Sequence, residues 1–175
     1  MTDQAPVETT YLGSTEQPAM EWSQASDLLA APPPPDTPGG HYSTYLGTVR
    51  PDGRPHATRV GARWYDGDLY FLSAPGTRKS RNLAANPAST LAIRLDGLDL
   101  VLEGEAAPVN DPAVLDAVGA LIRQSGWPVE LTAGGFTAPF GPQEGGPPPW
   151  LLYRFVFETV FGQRGDGATR WRFAR

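Results

Sequence analysis

The chain contains no cysteine among its 175 residues, so disulfides, thiolate metal sites and cysteine nucleophiles are excluded. Histidine is almost as scarce. His41 and His56 stand in no His-x-x-x-His pattern beside an acid, and no metal centre is expected from them. Lysine is confined to Lys79, and the remaining cations are arginines. No apolar run reaches the roughly 18 residues that a membrane helix requires, and the opening residues have neither the basic start nor the apolar core of a signal peptide. The expectation is a soluble cytoplasmic protein with no membrane partner. The serines form no Gly-x-Ser-x-Gly elbow, which removes support for a serine hydrolase. A formal net charge of -5 argues against gripping nucleic acid, so any anion site must be local.

What is present reads as one domain of ordinary size. Residues 1–19 are polar and without period, hence a flexible tail, and 20–175 form a single domain. From Trp22 to Ala31 the spacing of Trp22, Ala25, Leu28 and Leu29 predicts a short helix, which the prolines 32–35 must end before a connector over 36–40. Strands follow over 41–50, 54–65 and 68–73, separated by the turns Pro51-Asp52-Gly53 and Asp66-Gly67, and are expected to form an antiparallel meander. Thr77 is suited to cap a helix that ends before Pro87. Two more strands, 89–95 and 98–109, turn at Asp96-Gly97. Asn110, Asp111 and Pro112 open a third helix carrying Val114, Leu115, Val118, Leu121 and Ile122 on one side. Residues 127–149 are a long Gly/Pro-rich loop, functional or merely packed. Strands over 151–162 and 168–173 close the chain. The count is about seven strands and three helices: mainly β (α+β), with antiparallel strands closing into a barrel.

The most informative segment is Gly76 to Asn82, which crowds Arg78, Lys79 and Arg81 with Thr77 and Ser80 at a helix start. Free backbone N–H groups and the positive end of the helix dipole favour an anion there. Three adjacent cations repel one another, and a bound phosphate relieves that repulsion. A solvated helix whose cations meet carboxylates elsewhere is the competing reading. The preceding strand pair holds the small residues Ala57, Thr58, Gly61 and Ala62, along which a planar ring could lie.

The run from Gly47 to Pro87 resembles the pyridoxamine 5'-phosphate oxidase-like, FMN-binding split β-barrel superfamily, and especially its flavin- or deazaflavin-dependent oxidoreductase branch. The likeness continues through LDLVLEGEA, the helix after Asp111, the segment FTAPFG and the terminal ATRWRF. It implies a split β-barrel homodimer with cofactor at the subunit interface. It also implies cofactor contacts from His56, Thr58, Arg59 and Val60 to the ring side, and from Thr77, Arg78, Lys79, Arg81 and Asn82 to the phosphate. The implied cofactor is FMN or coenzyme F-420, the deazaflavin slightly preferred. Arg50, Arg54, Arg59 and Arg63 are further cations for the longer F-420 tail.

The resulting expectation is an oxidoreductase that passes hydride between FMN or coenzyme F-420 and a small unsaturated or heteroaromatic substrate, with no obligate catalytic acid or base. Two other readings stay open: an FMN-dependent pyridoxamine or pyridoxine 5'-phosphate oxidase, and a non-catalytic flavin or haem carrier or sensor. Glu103 and Glu105 alternate on one strand face and read as solvated carboxylates. Phe136, Phe140 and Trp150 form either a lid over substrate or plain packing. Trp22, Trp64, Trp127 and Trp171 read as core.

Overall fold

The computed structural model of the protein describes residues 5–14, 17–32, 43–142, 145–165 and 167–174. The expected connector 36–40 and His41 lie outside them, as does all but Pro32 of the proline run. The described residues form eleven strands and three helices. Strand β1 (Glu8–Tyr11) precedes helix α1 (Trp22–Ala30), then come β2 (Thr44–Val49), β3 (Pro55–Val60), β4 (Arg63–Tyr65) and β5 (Asp68–Ser73). Helix α2 (Arg78–Ala85) leads into β6 (Ala88–Arg94) and β7 (Asp99–Pro108), and α3 (Pro112–Gln124) follows. The small hairpin β8 (Glu130–Thr132) and β9 (Gly135–Thr137) precedes β10 (Leu151–Arg164) and β11 (Gly167–Arg172).

The sheet is antiparallel and runs β1-β11-β10-β7-β6-β2-β3, with the β4-β5 hairpin attached to β10. Its strands alternate as a half-buried sheet should: in β6, Ser89, Leu91 and Ile93 point inward while Ala88, Thr90 and Arg94 face out. Buried residues of β2 (Leu46), β3 (Val60), β5 (Phe71), β6 (Leu91), β10 (Phe155) and β11 (Trp171) all belong to one core cluster. A flat sheet could not bring strands so far apart in order onto one core, so the sheet curls round it as a β-rich α+β split barrel.

Strand β10 organises this arrangement. Along one edge it pairs with β7 from Tyr153 to Gln163. Along the other it pairs first with β5, Leu151 to Phe155, and then with β11, Thr159 to Arg164. The register slips between Phe157 and Thr159. A bulge at that point turns the strand, and Gly104 opposite it is required, because a Cβ there would run into the Val156 carbonyl.

Three sequence expectations are corrected. The 41–73 stretch is two hairpins and not a meander: β3 pairs with β2 and β4 with β5, and the chain breaks between Val60 and Arg63. The Gly/Pro-rich loop contains β8 and β9, which together with β1 and the split of 54–65 account for the higher strand count. The stretch read as a tail holds β1, paired with β11 from Glu8↔Arg172 to Tyr11↔Thr169. Its partners, Arg170 and Arg172, meet Glu8 across the ladder at 2.8 and 3.8 Å, a long-range pairing that local composition does not register. The Asp66-Gly67 turn forms as expected, with φ of 47° and 88°, the double positive φ of a type I′ hairpin.

Helix α1 closes the open side of the curl. Trp22 meets Trp171 edge-on at 5.5 Å and Phe173 at 4.9 Å, and the Trp171 indole donates to the Met20 carbonyl at 2.9 Å. Removing one of these rings leaves a void that neighbours from three elements cannot all fill. Trp22→Ala is therefore expected to cost about 3–5 kcal/mol, read as a lower denaturant midpoint at unchanged m-value; a loss below about 1 kcal/mol would show that α1 is not part of the core.

Candidate functional site

The site begins where β5 ends. Ser73 leads into a turn whose Thr77 caps α2: its hydroxyl accepts from the Ser80 N–H at 3.4 Å and lies 2.9 Å from both the Ser73 hydroxyl and the Ala74 carbonyl. A buried Ser73–Ser80 hydroxyl contact at 2.8 Å fixes this start. Because the cap turns Thr77 inward, the α2 N-terminus is presented by Arg78 and Lys79. Arg78 is exposed, whereas Lys79 is 3 % exposed, an unusual depth for an ammonium group.

Opposite α2 lies the inner face of β2 and β3. His56 and Thr58 face inward with Thr48 and Leu46, their ladder partners. The His56 Nδ1 lies 3.4 Å from the Thr48 hydroxyl, which also accepts from the buried Asn82 amide at 2.9 Å, so one hydrogen-bonded chain ties β3 to β2 and α2. Two residues beyond Thr48, just past the end of β2, is Arg50. Its Nε is buried and has no hydrogen-bond partner among the described residues. Burial first, and then the charges of Arg50, Arg78 and Lys79, hold the His56 pKa below its ordinary 6.5. All three cations therefore lie near enough to His56 to act on it, two of them in the first turn of α2.

From Lys79 a cavity of about 440 Å³ extends past Arg59, Val60 and Gly61 to Arg63 and the C-terminal end of α3. That volume lies in the usual range for small-molecule sites. Leu72, Ile122, Trp127 and Trp150 give it an apolar wall. The loop behind this wall is anchored: Ala74 N–H donates to the Gly145 carbonyl at 3.0 Å, and the Trp150 indole to that of Gly146 at 2.9 Å. Trp127 packs on Trp150 with centroids 5.2 Å apart and donates to the Phe140 carbonyl at 2.8 Å. Among the described lining residues there are three cations and no carboxylate.

The sequence-derived set is only partly gathered here. His56, Arg78 and Lys79 come together, and Arg59, Val60 and Lys79 line the cavity. Arg81 is exposed and donates back to the Gly76 carbonyl at 2.7 Å, Asn82 braces Thr48, and Thr77 is a helix cap. The aromatic group divides: Phe136 is core at 0 % exposure, Trp150 is cavity wall, and Phe140 stands 62 % exposed at the rim. Trp22 and Trp171 are buried and Trp64 packs on the same core, while Trp127 packs against the second core cluster and also lines the cavity. Glu103 and Glu105 are on the outer face as expected, Glu103 exposed and Glu105 likewise. Arg50 was reachable by period two from Thr48; the cavity role of Ser125 at the α3 C-terminus had no local signal.

A family model for pyridoxamine 5'-phosphate oxidase matches residues 39–163. The chain belongs to the pyridoxamine 5'-phosphate oxidase family. The match takes in the whole of β2 to β9 and most of β10, and thus every residue of the cationic cluster and of the cavity. Solved structures share the fold at low identity. A conserved hypothetical protein from Mycobacterium tuberculosis matches at TM-score 0.59 and 19% identity, over 86% of this chain and 90% of that one. A FAD-binding protein from Mesorhizobium loti matches at 0.57 and 15%, over 94% and 97%. A protein named F420 reductase matches at 0.51 and 22%, over 77% and 94%. No curated protein matches the chain. Within this family fold, no helix among the described residues is long and apolar enough to cross a membrane, and they hold no metal-binding cluster.

The cation cluster has a measurable consequence. Burial and like charge both disfavour the imidazolium, so the folded chain releases the His56 proton more readily than the unfolded chain. Stability is complete above about 6.5 and is lost as pH falls from there through the folded pKa. An NMR titration of His56 is expected to give a midpoint below 6.5, rising when sulfate fills the cationic site. A midpoint at or above 6.5 without anion would rule out the action of the three charges on His56.

Proposed function

We propose that the protein binds a phosphorylated flavin-type cofactor, FMN or coenzyme F-420, and serves as an oxidoreductase transferring hydride to or from a small unsaturated or heteroaromatic substrate. One observation carries the reading: an Arg50 Nε that is buried with no hydrogen-bond partner among the described residues acts on His56 together with Arg78 and Lys79 of the α2 N-terminus, and Lys79 lines one end of an apolar-walled cavity. The donor set fits a phosphate, since guanidinium and ammonium groups and helix N–H groups all favour a dianion. Membership of the family supports the class of cofactor, as do the names of the FAD-binding and F420 reductase relatives.

The bound cofactor would supply the hydride chemistry itself. In this reading Arg50, Arg78 and Lys79 hold the phosphate, and the Thr48–Asn82 bond keeps β2 and α2 at the spacing this requires. The inner face of β3 at His56 and Thr58, continuing to Val60 and Gly61, lies along the ring side. Trp127 and Trp150 exclude water from the cavity. Its described lining has neither a carboxylate nor an imidazole, so position and positive charge are what these residues contribute. Arg59, exposed at the cavity edge, is a cation beyond the phosphate cluster; it suits the carboxylate-bearing tail of coenzyme F-420 and inclines the reading to the deazaflavin.

The proposal includes a homodimer. Ladder partners Tyr45, Ala92, Val101 and Phe161 form a row across the outer face of β2, β6, β7 and β10. Tyr45 is 53 % and Val101 42 % exposed, an apolar stripe of the kind that a second copy covers. Val101→Arg places a charge in that stripe and is expected to give a monomer by sedimentation at concentrations where the parent protein is dimeric. A parent that is monomeric, or a dimer indifferent to this charge, would exclude the stripe as the contact.

For the site, Lys79→Ala is expected to weaken cofactor binding by about 1.5 to 3 kcal/mol, roughly tenfold or more in Kd, while the fold survives by circular dichroism. The loaded parent protein is expected to reduce a stacked acceptor faster than free reduced cofactor does. Unchanged affinity in the variant sinks the phosphate assignment. Tight binding with no rate gain makes the protein a carrier.

A further inference from the structure

His56 is the one imidazole among the described residues, and it is held from one side only. Its Nδ1 lies 3.4 Å from the Thr48 hydroxyl, which the buried Asn82 amide holds at 2.9 Å, while Nε2 has no hydrogen-bond partner among the described residues. The ring is partly buried on the inner face of β3, opposite α2. The charges that act on it are of one sign: Arg50 just past the end of β2, and Arg78 and Lys79 in the first turn of α2. Asp52, the nearest carboxylate along the chain, is taken by Arg54 at 2.7 Å, and Arg59 of β3 belongs to the other face of the sheet. Burial and these cations keep the ring uncharged, with its pKa below the ordinary value.

An anion placed among the cations reverses that balance. It offsets the repulsion and adds an attraction, and an opposite charge within a few ångströms favours the imidazolium by roughly tenfold or more. The Thr48 hydroxyl suits both forms of the ring, since it donates to a bare Nδ1 and accepts from a protonated one. A carboxylate in its place would hold the ring charged at all times, whereas a hydroxyl leaves the outcome to the ligand. We infer that His56 takes up a proton from solvent when the cofactor phosphate binds and becomes a fourth cation of the site, so that affinity for the phosphate rises as the pH falls through the neutral range. No bond of the cofactor is made or broken; both ring nitrogens then carry protons, one for Thr48 and one for the anion. The inference rests on the preceding reading that a phosphate occupies this place, and adds to it a residue and a proton. The gain is present below the pH at which the loaded ring releases its proton and is lost above it.

The test uses the full chain and calorimetric titration with FMN and with coenzyme F-420, each beside its chromophore lacking the phosphate. Each titration is run at about pH 7 in two buffers of different ionisation enthalpy, which counts the protons exchanged. The FMN phosphate, with a second pKa of about 6, only loses protons on meeting cations, so a net uptake belongs to the protein. The parent protein is expected to take up roughly half a proton with the cofactor it binds and none with the phosphate-free chromophore. The affinity gap between the two is expected to widen about fivefold from about pH 8 to about pH 6.5. His56→Gln, which keeps a side-chain hydrogen bond to Thr48 within reach and carries no charge, is expected to show no uptake and no widening of the gap. Should that variant unfold, the proton count in the parent protein decides alone. Binding of a cofactor without proton uptake, an uptake equal with and without the phosphate, or an uptake that persists in His56→Gln overturns the inference. Failure of both cofactors to bind overturns the cofactor reading instead, and the same titrations show it.

Discussion

A β-strand has two edges, and β10 serves three partners with them. It pairs with β7 along one edge, and gives the other to β5 at its start and to β11 at its end. The bulge between Phe157 and Thr159, accepted by Gly104, is where one neighbour is exchanged for the next. The exchange splits the sheet, and the cavity lies beside the β4-β5 arm of that split, lined by Arg63 and Leu72. The β4-β5 hairpin leaves the main path there, so the chain turning out of Ser73 into α2 stands over the inner face of β2 and β3.

The electrostatics follow from this placement. Like charges are gathered where Lys79 is buried and Arg50 partly so, and a gathering of that kind persists in a folded protein only if other interactions hold it in position. The supports are visible: the Ser73–Thr77–Ser80 hydroxyl group fixes the start of α2, and the Thr48–Asn82 bond sets its distance from β2. Neither support touches the cavity. The sheet and the helix cap thus bear the cost of a site whose affinity is directed at an external anion. Elsewhere charge is treated in the ordinary way: the buried Asp68 is met by the Arg154 Nε at 2.7 Å, and burial pushes the Asp68 carboxyl up from its usual range.

Much of the fold was legible because it depends on local chemistry. The Asp-Gly turns, the Thr77 and Asp111 caps and the inward period of β6 and β7 are each set within a few residues. What could not be read depends on distant partners. Strand β1 is held by β11, at the far end of the chain, and the hairpin after the break between β3 and β4 is held by β10, to which β5 pairs. The site divides in the same way. The cluster at Arg78 and Lys79 was apparent as a crowding of charge, whereas the part that Thr77 and Arg81 play in the helix, as its cap and as donor to the Gly76 carbonyl, depends on local geometry that the family resemblance did not give. Trp127, grouped with the core tryptophans by size, packs on the second core cluster but also faces the cavity, held there by Trp150 and the Phe140 carbonyl, both distant in sequence.

The central claim is that Arg50, Arg78 and Lys79 bind the phosphate of a flavin-type cofactor. The most direct measurement is a fluorescence titration of the purified protein with FMN and with coenzyme F-420, each beside its chromophore lacking the phosphate, riboflavin for the first and the bare deazaflavin for the second. The account expects at least one phosphorylated form to bind at micromolar Kd or tighter, and its phosphate-free counterpart to bind at least tenfold more weakly. Equal binding with and without the phosphate, or binding of neither cofactor, would contradict it.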